Sequence, residues 1–286
     1  MNVEALSTGH TSANQARSAH RDLIELAVGY GLILATIWTA NPIQRVLYWL
    51  AFAWIIATTW ARREDWAVLG LGRKGLRESF WIVGTALLLS AGAIFIAWRT
   101  HALHRLHGPT PIYLHGWGYI VWSIMQQFLL QSYFLLRLLR LLPGKAAPIL
   151  AATGIFALAH LPNPILTPVT LVWGAISCVL FLRYRNIYTL GLAHGIMGLC
   201  LAVTVPNSLH HHMRVGLGYL RYHPRVQNRR VTEHHLATES GAPYLDFEMW
   251  AFARGARTAL SNPSENREHS SLIAAKATKA YRRTHA

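Results

Sequence analysis

Two histidines and three glutamines carry the chemical interest of this chain. They are Gln126, Gln127 and Gln131 in one apolar stretch, His160 at the end of the next, and His194 two stretches later. A neutral imidazole can take a proton from water near neutral pH or donate an N–H to developing negative charge. A glutamine amide donates and accepts hydrogen bonds but cannot act as a general base. Gln127 and Gln131 are four residues apart and share a helix face, as do Phe156 and His160, and His194 and Gly198. From Phe80 to Thr232 there is no Asp and no Glu. Whatever these groups do, they do it without a carboxylate of their own.

The surrounding composition says where they sit. The 286 residues are 52% hydrophobic and 14% charged, with mean hydropathy +0.24. Apolar runs long enough to cross a bilayer recur along the chain. The expected fold is all-α, a polytopic integral membrane helical bundle of about seven spans. The expected organisation is a polar arm over 1–21, a transmembrane helical domain over 22–206, and a basic tail over 207–286. No cleavable signal precedes the first apolar run, which is long enough to span and stay. The spans read as Leu23–Ala40, Val46–Trp60, Phe80–Trp98, Gly116–Leu142, Ala146–His160, Leu166–Leu182 and Ile187–Val205. Asn41-Pro42, Pro143-Gly144, Pro162 to Pro164 and Pro206 break them. Ala61–Arg77 reads as a basic segment lying along the interface as a short amphipathic helix, and His210–Tyr222 as one more interfacial helix.

The net charge of +15 lies in the loops and the tail, densest at Arg62, Arg63, Arg73, Lys74 and Arg77. That pattern fits attraction to anionic lipid and a cytoplasmic face for the basic short loops. It carries no nucleic-acid recognition motif, so nucleic acid is not an expected partner. With seven spans the tail would lie on the opposite face, against the same rule.

At a rise of about 1.5 Å per residue, Gln126 lies about 15 Å from the Gly116 end of its helix. On the same count His160 lies about 21 Å from the Ala146 end and His194 about 10 Å from the Ile187 end. All three depths fall within the middle band of a core about 30 Å thick. Polar groups at that depth are costly and are functional candidates by default. Interhelical hydrogen bonding is the competing role for the glutamines. Gly191, Gly195 and Gly198 give the last span a small-residue side for close helix approach. Two histidines with no carboxylate or thiolate fall short of the three protein ligands usual for catalytic zinc, and the His210-His211-His212 run reads as surface. Cys178 and Cys200 read as packing thiols, with no CxxC spacing.

The order Gln126-Gln127-Phe128-Leu129-Leu130-Gln131, Phe156-Ala157-Leu158-Ala159-His160, His194-Gly195-Ile196-Met197-Gly198 resembles the CPBP family of intramembrane proteases. That family includes type II CAAX prenyl endopeptidases and bacteriocin-processing proteins. Its motifs are E-E-x-x-x-R, F-x-x-x-H and H-x-x-x-N or D, in that order. The likeness covers about 116–205. It implies a site in which a motif glutamate, helped by the first histidine, activates water while the later histidine and Asn hold the oxyanion. Position by position, Gln126 and Gln127 stand at the glutamates, His160 at the water-side histidine, His194 at the oxyanion-side histidine and Gly198 at the Asn. The resemblance implies a membrane-presented peptide or protein substrate, prenylated ones among them, membrane lipids as surroundings, no organic cofactor, and a bacterial inner membrane location. The family is sometimes described as metalloproteases, for which the ligand set here is incomplete. Because both glutamates are replaced, a non-catalytic relative binding peptide or lipid in the same pocket is the alternative. A transporter is a third reading, weakened by the missing carboxylates.

Overall fold

The computed structural model describes residues 3–103 and 112–222, with side chains over 17–103 and 116–222. Residues 104–111, with Pro109 and Pro111, and residues from 223 on lie outside the described residues. The described residues form helices joined by turns, with no strand among them. The elements are α1 (Val3–Trp38), α2 (Ile43–Ala61), α3 (Phe80–Arg99), α4 (Ile112–Gln127), a π-helical segment (Phe128–Leu135), α5 (Leu136–Leu141), α6 (Ala146–Leu158), α7 (Leu166–Tyr184), α8 (Ile187–Thr204), and two short helices, α9 (Asn207–His210) and α10 (Gly216–Leu220).

Among the described residues three helices are long and apolar enough to cross a bilayer: α3, α7 and α8. Helix α6 is equally apolar but shorter. The expected count of seven is reached only to that extent. Part of the difference lies in the stretch expected as one helix over Gly116–Leu142. It is divided by the π-helical segment into three pieces. The outer faces agree with a lipid surround. Helix α3 leaves Leu87, Leu88, Leu89, Phe95 and Ile96 exposed on a face that water would penalise.

Three other expectations change. Polar residues from Val3 onward continue helix α1 without a break into its apolar half. The Ala61–Arg77 segment is not helical beyond Ala61. It is a run of turns, with Arg63, Gly70 and Gly75 at positive φ. His210–Tyr222 is likewise broken, because His211, His212 and Met213 all take left-handed φ. The Asn163 side chain holds that bend by donating to the carbonyls of His210 and Arg214, both at 2.9 Å.

Helix α8 packs along both α3 and α4, α6 packs on α7, and α1 packs on α2 and α5. The π-helical segment lies among these layers, and its residues from Leu130 to Leu135 are all buried. Six consecutive buried residues exceed what one stripe of an α-helix provides. Enclosure by α6 and α7, with the Leu69 carbonyl accepting from Ser132 and the Glu25 carbonyl from Tyr133, accounts for it.

An ionic cluster ties α1 to α2 and α5. Glu25 accepts from Arg21 at 2.8 Å, Arg62 at 2.8 Å and Arg137 at 2.9 Å. Asp22 pairs with Arg62 and Arg140, and Arg140 reaches Glu64. Arg137 also stacks 3.8 Å over the Tyr133 ring. Burial works against the Arg62 charge, but Glu25, Asp22 and Glu64 outweigh it, so Arg62 holds its proton more tightly than an ordinary arginine. Buried charges persist when paired in this way. Glu25 is therefore a structural partner, about 15 Å of helix away from Gln127 when counted from Arg137.

Candidate active site

The site is assembled from α4, the π-helical segment, α6, α7 and α8. Helices α4 and α8 approach closely because glycines line the contact. A Cβ at Gly191 would lie 2.5 Å from Ile124 Cγ1 and 2.6 Å from its Cα, and one at Gly195 would lie 3.2 Å from Ile120 Cα. One turn on, the Tyr119 phenol fills the space in which a side chain at 198 would begin. The small-residue side of α8 thus faces α4, and it brings His194 against Gln127.

From there a chain of hydrogen bonds runs through the buried core. Gln127 Nε2 donates to His194 Nδ1 at 3.1 Å. Gln131 Nε2 donates to Gln127 Oε1 at 3.2 Å and to Ser177 Oγ at 3.0 Å. Ser177 Oγ donates to the Gly174 carbonyl at 3.1 Å. Gln127, Gln131 and Ser177 are fully buried.

The direction of this chain follows from its last member. A carbonyl oxygen only accepts, so Ser177 gives its proton to Gly174 and must accept from Gln131. Gln131 therefore presents its NH₂ group, and Gln127 must answer with its oxygen. That turns the Gln127 NH₂ toward His194, whose Nδ1 is the acceptor. The His194 proton then sits on Nε2, assigned from the network rather than from a hydrogen position. His160 has the opposite polarity. Its Nδ1 lies 2.7 Å from the Phe156 carbonyl, which again can only accept. Nδ1 carries the proton and Nε2 keeps a lone pair.

Both imidazoles meet Phe156. The His160 ring centroid lies 4.8 Å from the Phe156 centroid and the His194 centroid 6.1 Å from it. Trp173 of α7 closes the far side of His194 at 6.1 Å. Each histidine keeps 9% of its surface exposed. Around one aromatic ring the structure thus sets one imidazole lone pair and one imidazole N–H. These are a proton acceptor and a hydrogen-bond donor of the kind that amide hydrolysis uses.

Of the residues expected at the site, Gln127, His160 and His194 converge, and Gln131 joins them. Gln126 is half-buried and makes no hydrogen bond among the described residues. Gly198 carries no polar group, and Tyr119 occupies its space. Ser177 and Trp173 were not anticipated. A lone serine in an otherwise apolar helix was the available signal for Ser177. Cys178 packs beside Thr153 and Gln131, at the edge of the same network. Among the described residues no group of three or more His, Cys, Asp or Glu is placed to hold a metal ion. Two imidazoles flanked by amides lack a third ligand, so the donor set does not fit a catalytic metal.

Residues 108–200 match a family model described as type II CAAX prenyl endopeptidase Rce1-like. The matched span contains Gln126–Gln131, Phe156–His160 and His194–Gly198 and ends within α8. No curated protein and no solved structure matches the chain.

Proposed function

We propose, from the premise that residues 108–200 are Rce1-like, that this membrane protein is an intramembrane endopeptidase. Its substrates would be membrane-presented peptides, prenylated C-termini among them, and its setting a bacterial plasma membrane. The supporting observation is the opposed proton polarity of the two histidines around Phe156. Water attacks the scissile carbonyl carbon as His160 Nε2 takes one of its protons. The oxygen that gains charge accepts from His194 Nε2–H. Collapse of the tetrahedral intermediate breaks the C–N bond, and the proton held by His160 passes to the leaving amine. Gln127 acts through His194, because its amide fixes which nitrogen carries the proton. Gln126, with no hydrogen bond among the described residues, is the amide assigned to orient the water.

A neutral histidine replaces the carboxylate base at a cost in rate, so turnover is expected to be slow. The test is cleavage of membrane-presented peptides, prenylated and plain, by the purified chain in lipid vesicles. His160→Ala should lower the rate about 10²–10⁴-fold, and His194→Ala about 10²–10³-fold. Unchanged cleavage in both variants would overturn the mechanism.

A second reading is supported by the same amide network. Gln127 is committed on both ends of its amide, so the pocket is stable without a base and suits a peptide-binding relative that does not cleave. Gln126→Glu with Gln127→Glu separates the two readings. Proteolysis that appears only in that variant favours the binding role, and measurable wild-type cleavage excludes it.

A further inference from the structure

The turns between α2 and α3 look like a loose surface connection in sequence, yet they are sewn to the corner between α7 and α8. The Ile187 N–H donates to the Gly70 carbonyl at 3.1 Å. Tyr188 Oη donates to the Leu71 carbonyl at 3.1 Å. Asn186 Nδ2 reaches the carbonyls of Gly72 at 3.2 Å and Lys74 at 3.4 Å, while its Oδ1 caps α8. Ser79 Oγ and Thr189 Oγ1 are 2.9 Å apart. Gly75 lies against the Tyr184 carbonyl at positive φ, where no side chain would fit. Few surface loops are fixed at so many points.

What the loop displays is one-sided. Arg73 and Arg77, with Leu76 and Phe80, line a shallow, wide-mouthed surface cavity beside the start of α3. Both arginines are exposed, and among the described residues neither pairs with a carboxylate. Phe80 opens the span α3 and is 59% exposed. Beside it the Trp81 indole N–H donates to Tyr184 Oη at 3.2 Å, an aromatic pair of the kind found at headgroup level. The cavity therefore joins two guanidinium groups, at the water side, to an apolar wall that continues down a span.

We propose that this cavity is a binding site for an anionic phospholipid. Arg73 and Arg77 hold the headgroup phosphate, and Leu76 and Phe80 receive the upper part of an acyl chain. A guanidinium matches phosphate oxygens with paired N–H donors. The prior fixing of the loop removes the ordering cost that a flexible loop would carry on binding. The site is independent of the proposed peptidase and needs no turnover to detect.

The test uses the full chain in nanodiscs of phosphatidylcholine with or without phosphatidylglycerol, read by native mass spectrometry after release and by thermal unfolding. The wild type should retain phosphatidylglycerol over phosphatidylcholine and unfold at higher temperature in its presence. Arg73→Ala with Arg77→Ala should weaken retention about tenfold to thirtyfold. Arg73→Lys with Arg77→Lys should keep part of it. Lys74→Ala removes the same charge outside the cavity and should change retention less than the single Arg73→Ala. Phe80→Ala should weaken lipid retention while leaving any effect of millimolar inorganic phosphate unchanged. Equal retention of the two lipids, or retention indifferent to the arginine pair, overturns the proposal. Inorganic phosphate stabilising the chain as much as phosphatidylglycerol, with Phe80→Ala silent, would assign the cavity to free anions instead and equally overturn it.

Discussion

Gln126 and Gln127 are neighbours of identical chemistry in very different places, and replacing each by leucine separates a structural amide from an idle one. In Gln127→Leu, two hydrogen bonds are lost, to His194 Nδ1 and from Gln131 Nε2. Interhelical hydrogen bonds in membrane proteins contribute about 0.6 kcal/mol each on average. The larger effect is what stays behind: a buried imidazole nitrogen without its donor and a glutamine N–H without one of its acceptors, at about 1–3 kcal/mol for an unsatisfied buried group. Gln131 keeps Ser177 as a partner, so its share is at the low end. The expected loss for Gln127→Leu is about 2–3 kcal/mol. Gln126→Leu loses no bond at a half-buried position and should stay within about 0.5 kcal/mol of wild type. Reversible unfolding in mixed detergent micelles measures both. If the two variants are equally stable, the network and the histidine tautomers read from it are wrong. A large effect at 126 with none at 127 would mean that the helix faces have been exchanged.

The other expectations concern the frame of the site. Glu25→Gln leaves Arg137 and Arg62 without their shared carboxylate oxygen, so thermal unfolding in detergent should show a loss of about 3–5 kcal/mol, against little change for the exposed Glu78→Gln. Gly191→Ala must push α8 from the α4 backbone at Ile124, costing about 1–3 kcal/mol and loosening the Gln127–His194 bond. Gly84→Ala, with open space around it, is the matched control and should be near neutral in the same assay.

Much of the site was readable from residue types. The motif spacing put Gln127 with Gln131 and Phe156 with His160 on shared faces, and the structure joins both pairs. The glycine side of α8 was equally legible, because three glycines at helical spacing have few uses other than close approach. Ser177, Trp173 and Tyr119 were not legible. Each is one of several polar or aromatic residues in its helix, and its role depends on which neighbour it meets. The π-helical segment was hidden for a similar reason, since Phe128–Leu135 is a plausible α-helix by composition.

By itself the sequence determined that this is a helical chain with an apolar, acid-free heart, with two histidines and three glutamines within it. Those are matters of composition and local spacing, which solvation and helix periodicity translate directly. Tertiary structure decided how those groups are used. The carbonyls of Gly174 and Phe156 can only accept hydrogen bonds, and they set the protons of two imidazoles in opposite senses. The packing of α1 against α2 and α5 decided that Glu25 serves arginines and not water. Neither outcome is local in the chain, because each depends on which distant carbonyl or guanidinium the fold delivers to a side chain's polar end.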